Sequence, residues 1–380
     1  MKPLRVLHVI GGLELGGAET LLYRLATSPS PGIEQEVICL GPRDWYSPLL
    51  EEKGIAVHHL GMNSPLSSLR RIPRLRRLIR DRRPDVIQSW MYFANVLSSL
   101  SARRTPVVWG IHGSTLEHLG PPSYFCARAG GRLAARLADF VINCSQRSAE
   151  LHAALGYSAV PNAVIHNGYD PDAFFPDEGK RRATRAALGI GDGEFLTGSI
   201  TRWHSQKDIP NLLRALRLAA DKGAAMRCLL IGRGMDADNP QVAAEIERTG
   251  CGAIAIPLGS RADIPELARA LDLHILSSSG GEAFPNVVAE TMLSETPNAV
   301  TDVGDSGLMV RDTGWSVPAR DPEKLATAIR AAWREWAEEP KAWRQRCQSA
   351  RRLVSQNYTF DRMAVAYHDV WRRVAEGVPK

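Results

Sequence analysis

The chain predicts an α/β protein with two doubly wound parallel-sheet domains, and three observations carry that prediction. Short apolar runs alternate with stretches of helical periodicity along the whole sequence. Glycine-bearing loops follow several of the runs, at the points where strand would pass to helix. The 380 residues are too many for one ordinary core and suit two domains of about 150–200 residues each.

In the first half, residues 5–10 read as a buried parallel-type strand, followed by the loop 11–17, GGLELGG, and a helix over about 18–26. Glycine has no side chain, so such a loop brings backbone close to a ligand or simply turns tightly. Its spacing is not the Gly-x-Gly-x-x-Gly dinucleotide fingerprint, and it lacks the Gly-Lys-Ser/Thr of a Walker loop. Further strands are expected at 37–40, 57–60, 86–90, 107–111 and 140–143, with helices between them. Ligands of such sheets bind at the carboxyl ends of strands. Two ends stand out. Trp90 and Tyr92 give one of them aromatic surface suited to an acceptor sugar or lipid-linked acceptor, or else a core cluster; His112 marks the other.

The second half repeats the alternation. A strand over 195–200 leads into the loop Thr201-Arg202-Trp203-His204-Ser205-Gln206-Lys207-Asp208. Residues 228–231 lead into Gly232-Arg233-Gly234, and 254–258 into Leu258-Gly259-Ser260. Residues 273–277 form the next strand; a small-residue loop with Glu282 follows, then a helix carrying Glu290, then a strand closing at Val303. Pro285 suits the first turn of that helix, since its missing N–H has no intrahelical role there. Backbone N–H groups around Phe284, Asn286 and Val287 then carry the positive end of the helix dipole, a place for a diphosphate. Two carboxylates beside an anion site call for a second ligand feature. Sugar hydroxyls provide one, because a carboxylate accepts charge-assisted hydrogen bonds from them.

Composition narrows the class. Hydrophobic content of 44% and charged content of 23% describe a globular protein. Six cysteines, at 39, 126, 144, 228, 251 and 347, lie far apart with no Cys-x-x-Cys, which favours free thiols in a reducing compartment. The apolar run 6–10 is too short for a signal peptide and no run approaches the roughly 20 residues of a membrane helix, so a cytoplasmic protein is expected. The net charge of +6 is concentrated in Arg70, Arg71, Arg74, Arg76, Arg77, Arg80, Arg82 and Arg83. Leu66, Leu69, Ile72, Leu75, Leu78 and Ile79 recur among them at helical spacing, with Pro73 expected to bend or interrupt the segment. Such a helix lies on an anionic membrane surface, or packs its apolar side on its own domain. No nucleic-acid reader motif accompanies the arginines, so no nucleic-acid partner is expected.

Glu282, the spacer AFPNVVA and Glu290 resemble the Glu-x7-Glu signature of retaining nucleotide-sugar glycosyltransferases, the glycosyl transferases group 1 family. The resemblance implies the GT-B fold: two Rossmann-like domains, 1–166 and 167–359, facing across a cleft, with the final helix, 360–380, crossing back onto the first. It implies that Glu282 contacts donor-sugar hydroxyls, Glu290 the ribose, and Arg202 and Lys207 the diphosphate. Fixed cations there stabilise the leaving phosphate's charge. By the same resemblance Gly16, Gly17, Gly232, Leu258, Ala283, Phe284, Pro285, Asn286 and Val287 line the donor site, Leu258 through backbone groups at the base, and His112 faces sugar and phosphate. The segment ending VIHNGYD at 170 resembles the family's connector.

The expected activity is metal-independent transfer, with retention, from a UDP- or GDP-type sugar to a glycan or lipid-linked acceptor hydroxyl. No cofactor is expected. Bacterial exopolysaccharide or lipopolysaccharide assembly, at the cytoplasmic face of the membrane, is the implied setting. A sugar-nucleotide epimerase and a non-catalytic scaffold of the same fold are the alternatives. Three departures from the pattern bear on donor identity: Ala283 stands where glycine is common, 305–307 lacks a frequent glutamate, and Glu295 occupies a left-handed helix-end position at a cost of about 1 kcal/mol relative to glycine.

Overall fold

The computed structural model describes residues 2–62, 65–117 and 119–377. The chain divides into two compact units: the first runs to Asn167 and takes back the chain from Asp361, and the second spans Gly168–Phe360. The first holds seven strands: β1 (Leu4–Ile10), β2 (Ile33–Cys39), β3 (Ala56–His59), β4 (Val86–Trp90), β5 (Val107–Ile111), β6 (Phe140–Asn143) and β7 (Asn162–Val164). The second holds six: β8 (Leu196–Ile200), β9 (Arg227–Ile231), β10 (Ala255–Gly259), β11 (Leu273–Leu276), β12 (Asn298–Thr301) and β13 (Trp315–Val317).

The sheet orders are β3-β2-β1-β4-β5-β6-β7 and β10-β9-β8-β11-β12-β13, parallel throughout. Strands covered by helices on both faces read as unbroken apolar runs, which is why they were legible by composition alone. Val9 pairs with Ile38 and Leu229 with Gly198 in the middle of their sheets. Each order reverses once, between β1 and β4 and between β8 and β11, so each unit is a doubly wound Rossmann-like sheet with a switch point. Ligands of doubly wound sheets bind at the carboxyl ends of the strands beside the switch point.

Three details depart from expectation. β7 is short and part-exposed, with too little apolar pattern to declare itself. β2 begins at Ile33, four residues ahead of the apolar run at Val37, because Leu4 to Leu7 pair with it from Ile33 onward. Pro73 sits inside an uninterrupted helix, Pro65–Arg82. The fully buried Leu75 and the buried Ile79 anchor that helix on the core, which offsets the hydrogen bond the proline removes. The side chains of Leu66 and Leu69 lie outside the described residues. No described helix is long and apolar enough to cross a membrane.

The last helix, Phe360–Ala375, supplies core to the first unit. Trp371 is fully buried there, with its ring edge-on to His8 at 5.5 Å and its Nε1 donating to Gln88 Oε1 at 2.9 Å.

Candidate functional site

In the second unit the switch-point strands β8 and β11 send out two loops that are sewn together. Ser277 Oγ donates to the Lys207 carbonyl at 2.7 Å, and the Ser279 N–H to the Gln206 carbonyl at 2.7 Å. Thr301 at the end of β12 donates to the Ser278 carbonyl at 2.6 Å. This stitching carries Lys207 onto Glu282. The two form an ion pair, with side chains 17% and 8% exposed, and Ser278 Oγ donates to the same carboxylate oxygen at 2.6 Å. A charge pair this dry keeps its strength, because little water screens it.

Glycines set the backbone around the pair. Gly304 has φ 58°, and a Cβ there would collide with the Glu282 carbonyl oxygen. The adjacent Asp305 N–H clasps the Ala283 carbonyl at 2.9 Å. Phe284 is buried between Tyr169 and Tyr358, so only its backbone could serve a ligand. Pro285 is the N-cap rather than a residue of the first turn of the helix Asn286–Leu293; its φ of −71° suits either place, and its carbonyl accepts from the Val288 N–H at 3.2 Å. The first N–H groups of that helix therefore leave its N-terminus at Asn286 and Val287. Tyr169 Oη donates to Asn286 Oδ1 at 2.9 Å and holds that end in place. Glu290 is half-buried on the same helix, and Glu295 just beyond it takes the left-handed conformation, φ 61°.

The neighbouring loops close in by the same means. Gly232, at φ 133°, is the one residue type that lets the loop after β9 pass the Thr201 carbonyl, and its N–H donates to the Gly259 carbonyl at 2.8 Å. Leu258 sits where the β9–β10 register slips between Pro257 and Gly259, a bulge that re-aims its backbone groups. Arg202 is exposed on the loop after β8. Loops bearing Arg202, Lys207, Gly232, Leu258 and Glu282 thus leave the carboxyl edge of one sheet, and an ion pair joins Lys207 to Glu282. Sequence reasoning missed Ser278 and the pairing itself; the run of serines before Glu282 was the one signal for the former.

In the first unit Gly16 caps the helix Gly17–Thr27, and a side chain there would strike the Glu19 carboxylate. Burial pushes the Glu19 carboxyl up. Gly17 faces open space. His112 follows β5, stacks on Trp90 with ring centroids 5.1 Å apart, and is held at about 4 by burial, so the ring is neutral near pH 7. Trp90 and Tyr92 must be corrected. They are 0% and 1% exposed and so present no face for a sugar. Both are internal struts: Trp90 Nε1 donates to His8 Nδ1 at 3.1 Å, and Tyr92 Oη lies 2.9 Å from His152 Nε2. Their polar tips needed partners in the core, and alternation along a strand could not distinguish that from surface display. Among the described residues no group of three or more His, Cys, Asp or Glu is gathered as a metal site.

Comparison with known proteins bears on what these two edges do. Residues 15–173 match the model of Glycosyltransferase Family 4, and residues 195–335 that of Glycosyl transferases group 1. EpsF of Bacillus subtilis (strain 168) is 24% identical over 331 residues, covering 80% of this chain and 82% of EpsF. The D-inositol 3-phosphate glycosyltransferase of Rhodococcus erythropolis is 29% identical over 199 residues, covering 50% of this chain but 44% of that enzyme. Among solved structures, Anabaena HepE in complex with UDP superposes with a TM-score of 0.85 at 23% identity, covering 97% of this chain and 99% of HepE. HepE with UDP-glucose gives 0.81 at 24%, covering 99% of each chain. The lipopolysaccharide outer core galactosyltransferase WaaB gives 0.75 at 15%, covering 97% of this chain and 100% of WaaB. These likenesses show the fold.

Proposed function

We propose that the chain, whose fold is GT-B, is a glycosyltransferase of group 1 with a nucleotide-sugar donor, and that it transfers the sugar with retention, without a metal. The carrying observation is the dry Lys207–Glu282 pair, with Ser278, beside the N-terminus of the helix that bears Glu290. In the resting protein Lys207 and Glu282 satisfy each other. Donor binding exchanges those partners: the diphosphate takes Lys207, and sugar hydroxyls donate to Glu282. Arg202 closes on the diphosphate from the exposed side, helped by the N–H groups at Asn286 and Val287. Glu290 accepts from the ribose hydroxyls, and backbone at Ala283, Phe284 and Pro285 shapes the passage between sugar and phosphate.

As the glycosidic bond to phosphate lengthens, the sugar gains oxocarbenium character and the leaving diphosphate gains charge. Fixed cations then bind the transition state more tightly than the ground state. His112 is neutral and offers the sugar a hydrogen bond without repelling a cation, while Gly16 and Gly17 leave backbone space for donor or acceptor. UDP is the proposed nucleotide, supported by the UDP and UDP-glucose bound to HepE. The acceptor is a glycan or lipid-linked sugar in bacterial surface polysaccharide assembly, a setting supported by the likeness to WaaB. The exposed Arg70, Arg74 and Arg77 would face an anionic membrane on its cytoplasmic side.

A thermal-shift panel of UDP- and GDP-sugars tests the donor, followed by anomeric analysis of product by NMR with chelator present. Stabilisation by a UDP-sugar and a product of unchanged configuration are expected. Inverted product, loss of transfer with chelator, or epimerisation of donor alone would each overturn the corresponding part.

A further inference from the structure

We propose that the first unit carries a second anion site, a pocket for a phosphate-bearing group built from six arginines at the amino edge of its sheet. Arg5, Arg76, Arg80, Arg83, Arg103 and Arg104 line one pocket, with Asp85 as the carboxylate on its wall. The topology gathers them from separate places: the start of β1, the end of the helix Pro65–Arg82, the turn into β4, and the turn from the helix Tyr92–Ser101 into β5. Gly16 and His112 follow the opposite ends of β1 and β5, about 20 Å away at ~3.3 Å per residue. The pocket is therefore separate from the edge that bears the candidate site.

Its charges are poorly answered from within the chain. Asp85 lies 3.5 Å from Arg5, and Asp81 lies 2.9 Å from Arg80. Arg76 donates to the Leu100 carbonyl at 3.1 Å. Among the described residues no carboxylate pairs with Arg76, Arg83, Arg103 or Arg104. Arg76, Arg80, Arg83, Arg103 and Arg104 are exposed, so water screens their mutual repulsion and leaves their guanidinium groups open to an anion.

The backbone explains how two of these arginines reach the pocket. Arg83 has φ 49° and Arg103 φ 55°, the left-handed region where glycine is the ordinary occupant. Arg103 sits in a turn closed by the Thr105 N–H to the Ala102 carbonyl at 3.0 Å. The helix dipole rewards one cation at each helix end, which accounts for part of the cluster but not for Arg104 beside Arg103, nor for Arg5. Arg83 and Arg103 each lie just past the end of a helix, where a left-handed residue commonly closes the last turn, so the same two turns that end the helices bring their guanidinium groups to the pocket. Guanidinium forks match phosphate oxygens in pairs, and the buried Ile79 and Ala102 give the pocket a dry floor. The ligand is thus a phosphate monoester or diphosphate, either soluble or the headgroup of an anionic lipid.

The double variant Arg83→Gly/Arg103→Gly is the test, because glycine suits both backbone positions and the variant should melt no lower than the parent. With the donor site saturated by UDP, inorganic pyrophosphate is titrated calorimetrically, and vesicles of phosphatidylglycerol in phosphatidylcholine are assayed by co-sedimentation. The parent should bind at least one of the two, and the double variant should bind it at least 10-fold more weakly, with UDP affinity unchanged. Loss confined to pyrophosphate identifies a soluble ligand; loss confined to vesicles identifies a headgroup. A parent that binds neither probe, or a double variant that binds both as the parent does, overturns the proposal.

Discussion

The two units differ in whether they bury charge beside their neutral polar groups. In the first, the buried groups are neutral: His8 bridges Trp90 and Gln35, Tyr92 meets His152, and Trp371 meets Gln88. In the second, beside the neutral His274–Asn298 pair, charged groups are buried as well: Lys207 with Glu282 after the carboxyl ends of β8 and β11, and Arg181 and Arg185 with Asp272 at the amino ends of the same strands, at 2.5 and 3.2 Å. A neutral network fixes the shape of a loop and has nothing to exchange with a ligand. A dry ion pair holds two charges that a ligand of mixed character, anionic at one end and hydroxylated at the other, can take over. Under the proposed function the first unit's network positions, and the Lys207–Glu282 pair of the second binds and stabilises charge.

The largest effects should come from breaking the charged side. Glu282→Ala should lower transfer by about 10²–10³-fold, the scale for losing one preorganised polar group. It should also destabilise the fold by about 3 kcal/mol by stranding Lys207, read as a lower urea midpoint. Transfer within a factor of two of the parent would remove Glu282 from the reaction.

Acid should strike both units through buried histidines. His8 and His274 are held at about 4, below the ordinary 6.5, chiefly by burial. Their stabilisation is complete above about pH 6.5 and fades as pH falls toward 4, on the order of 3 kcal/mol for each. His8→Gln should flatten the fall of Tm between pH 7 and 4.5; an unchanged slope would show that the ring is already protonated in the fold.

Glu290→Ala should weaken UDP binding about 10-fold by calorimetry, the loss of one charge-assisted contact to the ribose. Smallest of all, Trp90→Phe should cost about 1 kcal/mol by removing the bond to His8, with UDP affinity unaltered. A change in UDP affinity there would blur the contrast between the two units.

The fold was legible because parallel strands buried on both faces leave unbroken apolar runs, and β7 escaped because it is short and part-exposed. The loop position of Glu282 and the helical position of Glu290 were also legible, from Gly280-Gly281 and Pro285. Three things depended on contacts between segments far apart in sequence. Lys207 meets Glu282 only because β8 and β11 are neighbours. Trp90 and Tyr92 are interior because His8 and His152 offer them partners. Arg83 and Arg103 share a wall because the turns before β4 and β5 sit side by side.

The return of the final helix to the first sheet has a consequence for biosynthesis. A ribosome releases the whole second unit before it delivers Trp371, so the segment made first is the last to complete its interior. A stop codon near residue 360 would leave the second unit's chain whole yet strip the cover from His8 and Trp90. Such a product should still recognise nucleotide while exposing aromatic surface to chaperones and proteases.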